Sequence, residues 1–232
     1  MSNMVFDKGG VYISNLANNA EQLGIGQYRF PFNFELAGKD FTIKAEDGEY
    51  DISFICGREL EFRGKKYPYE CQKLEKTTYF ILFSSIAGVV DLGQGYITLI
   101  DGDKYISGPV CPCAEGKNAP ACAGDDMVGT YVSWILGCGR FMTQEFSAPG
   151  KCVVSWSPRE GDRDELDCRA TKIKGPIYLV DIRGPVRTGV CAPFFTDRVI
   201  MLQDYDHMMT VGCVMGKGFD PISVAGYAEF LN

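Results

Sequence analysis

"DCRATKIKGPIYLVDI", Asp167 to Ile182, decides how this chain is read, because a version of it, "ECQKLEKTTYFILF", stands about a hundred residues earlier, at Glu70 to Phe83. In both, an acid and a cysteine lead through a long polar side chain and a basic, turn-like interval to a tyrosine that opens an apolar strand. Further pairs appear on either side. "LAGKDF" from Leu36 matches "MVGTYV" from Met127, Cys71 matches Cys168, Tyr79 matches Tyr178, and "DGDKYISG" from Asp101 matches "DYDHMMTVG" from Asp204. Gly38 to Tyr79 spans 41 positions and Gly129 to Tyr178 spans 49, so the copies differ by loop insertions. Solenoid repeats run roughly 20 to 50 residues, and the longer period here implies two duplicated domains.

Each copy reads as short strands joined by tight turns. The first copy runs "KDFTIKA", "YDISFIC", "ELEFR", "YECQKLE", "TYFILFSS", a Gly-rich turn, "YITLI" and "KYISG". The second runs "GTYVSWIL", "RFMTQEF", "KCVVSW", "LDCRATKI", "IYLVDIR", "VCAPFF", "RVIMLQ" and "MMTVGCVM". The 27 glycines, 12 tyrosines and 15 phenylalanines of the 232 residues suit strands and turns better than long helices. Seven or eight antiparallel strands in succession remove their exposed edges by curling until the first and last pair. We therefore expect an all-β protein of two tandem lipocalin-like (calycin) antiparallel β-barrels, at residues 36–110 and 127–219. The Pro- and Gly-rich residues 111–126 form the linker. A short helix is expected in the N-terminal segment 1–35, capped near Ser14, and another at 220–232, with Asp220 as N-cap and Pro221 as first helical residue. A barrel of about eight strands has an interior that is either filled or holds one small ligand.

The formal charge of −7, with Lys and Arg scattered singly, excludes a phosphate-binding stripe and hence a nucleic-acid partner. No basic region precedes an apolar core at the start, and the greasiest run, "YFILFSSIAGVV", falls short of the ~20 residues that span a membrane. The expectation is a cytoplasmic chain with no membrane partner, in which most of the ten cysteines are small buried side chains. Cys111, Cys113 and Cys122 lack the paired spacing and fourth ligand of structural zinc, so no metal is expected. "GIGQYR" and "GQGYIT" lack the third glycine and the βα context of a dinucleotide site, and no cofactor is expected either.

"FPFNFELAGKDFTIKAEDGEYDISF", Phe30 to Phe54, resembles the opening of the molybdenum cofactor biosynthesis protein F family, whose members are described as tandem calycin barrels. "DMVGTYV", "RFMTQEF", "CVVSW", "GPIYLVDIRGPV" and "MTVGCVMG" follow that family's second half in order. The first half is also similar to bacterial phenolic acid decarboxylases, which work in a barrel lumen without a cofactor. Phe41, Glu46 and Gly48 hold that family's frame, and Arg63 after Phe62 matches its lumen arginine. Its two strand tyrosines are replaced by Ile43 and Ala45, and its glutamate falls on Lys76, beside Glu75.

Period-two alternation in "ELEFR" sets Glu59, Glu61 and Arg63 on one face and Leu60 and Phe62 on the other. Either the charged face lines the lumen, as the resemblance implies for Arg63, or it is solvated and the apolar pair fills the core. With the first choice, Arg63 orients an anionic group and a carboxylate, Glu61 in the first barrel or Glu145 or Asp181 in the second, moves a proton. His207, the only histidine, is a further proton-transfer candidate in the turn "DYDH". Tyr50, Phe62, Tyr79, Trp134, Trp156 and Tyr178 are the candidate substrate-binding residues, Tyr50 and Tyr178 as donors to an oxyanion and the others as apolar lining. The function expected is a cofactor-independent lyase or isomerase, cyclisation included, acting on a small apolar, aromatic or polyketide-like molecule. The rival is a non-catalytic carrier of a hydrophobic or pterin-like ligand. Accessory work in molybdenum cofactor assembly rests on the family resemblance alone, and the barrels leave room for a homodimer.

Overall fold

The computed structural model describes residues 4–7, 10–13, 30–112, 121–122, 124–137, 140–156, 163–187, 195–216 and 219–229. β1 (Met4–Asp7) and β2 (Gly10–Ile13) form a separate hairpin. The first barrel comprises β3 (Lys39–Ala45), β4 (Gly48–Phe54), β5 (Glu59–Phe62), β6 (Lys65–Glu75), β7 (Thr78–Phe83), β8 (Ile86–Asp91), β9 (Tyr96–Asp101) and β10 (Lys104–Cys111). It closes where β10 pairs with β3. β11 (Ala121–Cys122) and a 3-10 turn at Gly124–Met127 lie in the linker region. The second barrel comprises β12 (Tyr131–Gly137), β13 (Arg140–Ala148), β14 (Lys151–Trp156), β15 (Arg163–Lys174), β16 (Ile177–Arg187), β17 (Phe195–Asp204), β18 (Met209–Gly216) and β19 (Phe219–Glu229). It closes where β19 pairs with β12, and β11 adds to the edge of β15.

The two tandem eight-stranded antiparallel barrels are those expected, with three corrections of detail. The residues read as a closing helix are β19, so the second barrel runs to Glu229 rather than ending at 219. β8 lies where a Gly-rich turn was expected. Of "VCAPFF", only Phe195 is described, and it begins β17 instead of ending a strand of its own. The N-terminal helix expected after a cap near Ser14 falls on Ser14 to Gly24, which lie outside the described residues; Gly10–Ile13, just before the cap, is a strand. Among the described residues no helix is long and apolar enough to cross a membrane.

The duplication is written into local geometry. Gly38 (φ 75°) donates its N–H to the carbonyl of Phe54, and Gly129 (φ 85°) donates its own to the carbonyl of Phe146, each leading the chain into the first strand of a barrel. Left-handed backbone at both points explains the shared glycine. Lys73 pairs with Tyr79 and Lys172 with Tyr178, in each case just before a register shift, and each lysine Nζ lies over its tyrosine ring, at 5.5 and 5.6 Å.

The seam between the barrels uses matching faces of both. Leu74, Phe80, Leu82, Ala87, Val89 and Ile100 of the first barrel pack with Ile173, Ile177, Leu179, Ile200, Leu202, Val211, Cys213 and Ala225 of the second in one buried cluster. Leu74 and Ile173 are the matched bulge residues, and Glu75 and Lys174, directly after them, pair across the seam at 2.6 Å. Like surfaces meeting in this way form the isologous arrangement of a two-fold dimer, here within one chain.

Candidate functional site

Alternation on β5 places Leu60 and Phe62 in the core of the first barrel, so Glu61 and Arg63 are not lumen groups. Arg63, in a turn with φ 53°, pairs with Asp101 at 2.9 Å and lies over the rings of Tyr50 and Phe62. Glu145 shares the outer face of β13 and pairs with Arg163 at 2.5 Å, whereas Met142, Gln144 and Phe146 point into the second barrel. Asp181 is buried in the seam rather than in a lumen, held by Arg198, Arg183 and Tyr105. The solvated alternative for "ELEFR" is therefore the one realised, and these four charges do not converge.

His207 is exposed, and its Nδ1 lies 2.7 Å from the carboxylate of the buried Asp204. That hydrogen bond, with the attraction of the carboxylate, raises the imidazole above its ordinary range. As this is the only histidine, its proton NMR titration should give one midpoint, above the usual ~6.5, which returns to that value in Asp204→Asn.

The aromatic candidates are spread over both lumens and their ends. Tyr50 donates to Asp47 and accepts from Lys104 at one end of the first barrel. Tyr79 donates to Glu35 at 2.6 Å, where Lys73 also binds; this lysine, the tyrosine and Asn33 hold the Glu35 carboxyl at about 2. Phe62 packs edge-on to Phe83 in the first core. Trp134 and Tyr178 both pack edge-on to Tyr205 in the second. Trp156 ends β14, and its side chain lies outside the described residues, as do Cys113 and the side chain of Cys122; Cys111 is exposed at the end of β10.

A chain of hydrogen bonds crosses the second lumen. The Trp134 indole can only donate, so the Gln144 atom 3.2 Å away is its carbonyl oxygen. Gln203 Nε2 donates to the same oxygen at 2.7 Å, which turns Gln203 Oε1 toward the Tyr205 hydroxyl, 2.8 Å away. One donor-only ring thus fixes three further side chains, and the lumen of this barrel is occupied by them.

The cavity with the character of a binding site lies at the mouth of the first barrel, against the second. It measures about 440 Å³ and is lined by Phe32, Phe34, Tyr69, Leu82 and Phe83, with Arg58 and Glu70. Asp220 and Pro221 at the start of β19 supply the wall from the second barrel. Phe32 and Phe34 reach it on a strap pinned to β6, through a Phe32–Gln72 bridge and the Asn33 N–H on the Cys71 carbonyl at 2.8 Å. The strap crosses Gly57 so closely that a Cβ there would sit 2.4 Å from the Phe34 ring, which accounts for a glycine at that point.

Tyr69 is 5% exposed, and its hydroxyl has no hydrogen-bond partner among the described residues. Burial, with Cys71 and Cys56 nearby, pushes the phenol well above its ordinary range, so it stays a neutral donor. Burial likewise pushes the neighbouring Cys71 thiol up to about 12, which rules it out as a thiolate nucleophile near neutral pH. Arg58 is exposed at the rim and forms no ion pair with a described residue. Across from it, Ser223 of β19 donates to the Glu70 carboxylate.

Neither Tyr69 nor Arg58 was singled out from the sequence. The alternation in "YPYECQ" puts Tyr69 and Cys71 on one face, but only the switch of β6 from pairing β5 to pairing β7 at Pro68 and Tyr69 makes that face a cavity wall. No family model matches the chain, and no curated protein matches its sequence.

Proposed function

We propose that the protein binds a small apolar, aromatic molecule in the cleft between strap, first barrel and β19, as a lipocalin-like carrier does. The observation that carries this reading is the aromatic cavity itself, of a size that accepts a drug-sized ligand. Its place at a barrel mouth agrees with the resemblance to calycin proteins. Of the charged residues first considered for catalysis, Arg63, Glu145, Asp181 and His207 are engaged in ion pairs and none of them, nor Glu61, lines the cleft, which favours holding over conversion.

Lyase or isomerase action in the same cleft is the second reading, favoured by the resemblance of the first half to phenolic acid decarboxylases. Native mass spectrometry on protein taken directly from cells should show a retained small molecule. Recovery of that molecule unchanged after incubation with fresh protein supports the carrier, and a change of mass or of isomer supports the enzyme. Phe34→Ala removes half-exposed apolar surface from the wall and should weaken ligand binding about tenfold, ~1.4 kcal/mol, with the fold intact by circular dichroism. Unchanged affinity in this variant would place the ligand elsewhere.

A further inference from the structure

We infer that Glu35 is a positioning residue of the cleft: its carboxylate, held by Lys73 and Tyr79, sets the place of the Phe34 ring and with it the affinity for an aromatic ligand. The inference rests on the reading of the cleft as a ligand site. Phe34 stands between two fixed points of the strap. Before it, the Asn33 N–H is bound to the Cys71 carbonyl, and after it Leu36 is buried in the first core. Among the described residues, the polar ties that join the stretch between these points to the barrel all run through Glu35. Lys73 Nζ of β6 lies 2.7 Å from each carboxylate oxygen, and the Tyr79 hydroxyl of β7 donates to Oε2 at 2.6 Å. Asn33 braces the acid from the strap itself, its Oδ1 accepting the Glu35 N–H at 2.8 Å and its Nδ2 reaching Oε1 at 3.2 Å. The Phe34 ring lies against Gly57, and both residues line the cavity. The grip on the carboxylate therefore fixes the residue next to it in the chain, and so the wall.

The second barrel repeats the grip without the ring. Matching Gly38 to Gly129 sets Leu36 on the buried Met127, and the carbonyls of both accept an N–H three residues on, from Lys39 and from Thr130. Glu35 then falls on Asp126, which pairs with Lys172 at 3.1 Å, the lysine that lies over Tyr178 as Lys73 lies over Tyr79. The place of Phe34 is taken there by Asp125, within the 3-10 turn, and the cavity at that mouth measures only about 140 Å³. Both acids are about half exposed, 52% for Glu35 and 53% for Asp126, and ion pairs of that kind contribute little to the unfolding free energy. Loss of either acid should cost a similar, small stability. Loss of Glu35 alone displaces a ring from a cavity wall.

The test titrates N-phenyl-1-naphthylamine, a neutral aromatic probe that fluoresces when shielded from water, into the full chain. Glu35→Ala should weaken the probe about fivefold, the factor expected when the ring stands in its binding position about one-fifth of the time. Its melting temperature should fall by no more than about 3 °C. In a Phe34→Ala background the same substitution should change affinity by less than about 1.5-fold, because its effect runs through a ring that is gone. Asp126→Ala should melt as Glu35→Ala does and bind the probe as the wild type does. Lys73→Met keeps the apolar stem and removes the grip from the other side, and it carries the same comparison if Glu35→Ala fails to fold. Unchanged affinity in Glu35→Ala, an undiminished effect in the Phe34→Ala background, or equal weakening by Asp126→Ala would overturn the positioning role while leaving the cleft as a site. A probe that does not bind, or binds with an affinity indifferent to Phe34→Ala, would instead remove the cleft reading and this inference together.

Discussion

Replacing Asp181 with alanine should lower the unfolding free energy by about 3–5 kcal/mol, among the largest single losses available to this chain. The carboxylate is fully buried and takes Arg198 in a two-pronged grip, Nε at 2.6 Å and Nη2 at 2.7 Å on its two oxygens. Arg183 Nε adds a bond of 3.0 Å, and the hydroxyl of Tyr105, from the first barrel, donates to the same group. The variant leaves the mostly buried Arg198 without its counter-charge, and that desolvated guanidinium, more than the lost attraction, sets the cost. Arg183 suffers less, because Asp103 of the first barrel still holds it at 2.7 Å. Urea titration followed by far-ultraviolet circular dichroism measures the loss. A change below about 1 kcal/mol would mean that the cluster is no better than an exposed ion pair.

The same group makes a pH prediction whose sign follows from its partners. Burial pushes the Asp181 carboxyl up, but the bonds from Arg198, Tyr105 and Arg183 outweigh it, and the net direction is downward from the ordinary value. A carboxyl depressed in the folded state contributes stability above its unfolded value, roughly 3.9, and loses that contribution as pH falls through the folded value. The wild-type protein should therefore lose stability below about pH 4, and Asp181→Ala should show a shallower acid limb. Ligand binding in the cleft should be unaltered in this variant, since Asp181 lies in the seam and not in the cavity wall.

What the sequence revealed was whatever local chemistry repeats. The paired lead glycines, the Lys–Tyr bulges and the inward cysteines are readable because each is fixed by a turn or a face within a few residues. The pairing of "DGDKYISG" with "DYDHMMTVG" is the instructive slip. The first is the β9–β10 turn, whereas the second is the β17–β18 turn, whose counterpart is the β8–β9 turn opened by Asp91. Asp91 accepts the N–H groups of Gly93 and Gln94, and Asp204 accepts those of Asp206 and His207, the same side-chain cap in both copies.

The one-hairpin error has two physical sources. Gly88 made β8 read as a turn, although it serves close approach, since a Cβ there would sit 2.3 Å from the Thr98 carbonyl oxygen. "DPISVAGYAEFL" carries a helix-opening Asp-Pro and small residues, but a barrel lacking one strand must complete itself with what remains. Ile222 and Val224 face the second core, and Ala225 faces the seam. Tertiary closure overrode local propensity. The cleft was illegible for a related reason, since its walls come from the strap, the β4–β5 turn, two strands (β6 and β7) and the start of β19, which only closure brings together.

That closure rests on one glycine in each barrel, and adding a methyl group to either should cost about 3 kcal/mol or prevent closure outright. A Cβ on Gly108 of β10 would lie 2.1 Å from the Lys44 carbonyl oxygen and 3.0 Å from the Ala45 nitrogen, both backbone atoms of the first strand, β3. A Cβ on Gly226 of β19 would lie 2.3 Å from the Ile135 carbonyl oxygen on β12, again the first strand of its barrel. Backbone cannot rotate aside as a side chain can, so Gly108→Ala and Gly226→Ala must push the closing strand off its partner. Gly102→Ala is the control. Gly102 has a φ of 58° and open space around it, so the variant should lose only about 1 kcal/mol through backbone strain. Both tryptophans, Trp134 and Trp156, belong to the second barrel, so their fluorescence reports that barrel alone. Because the buried seam joins the two cores, Gly108→Ala should move the tryptophan transition to lower urea together with the far-ultraviolet signal. A tryptophan transition left at its wild-type midpoint would show that the barrels unfold independently and that the seam couples them far less than its burial implies.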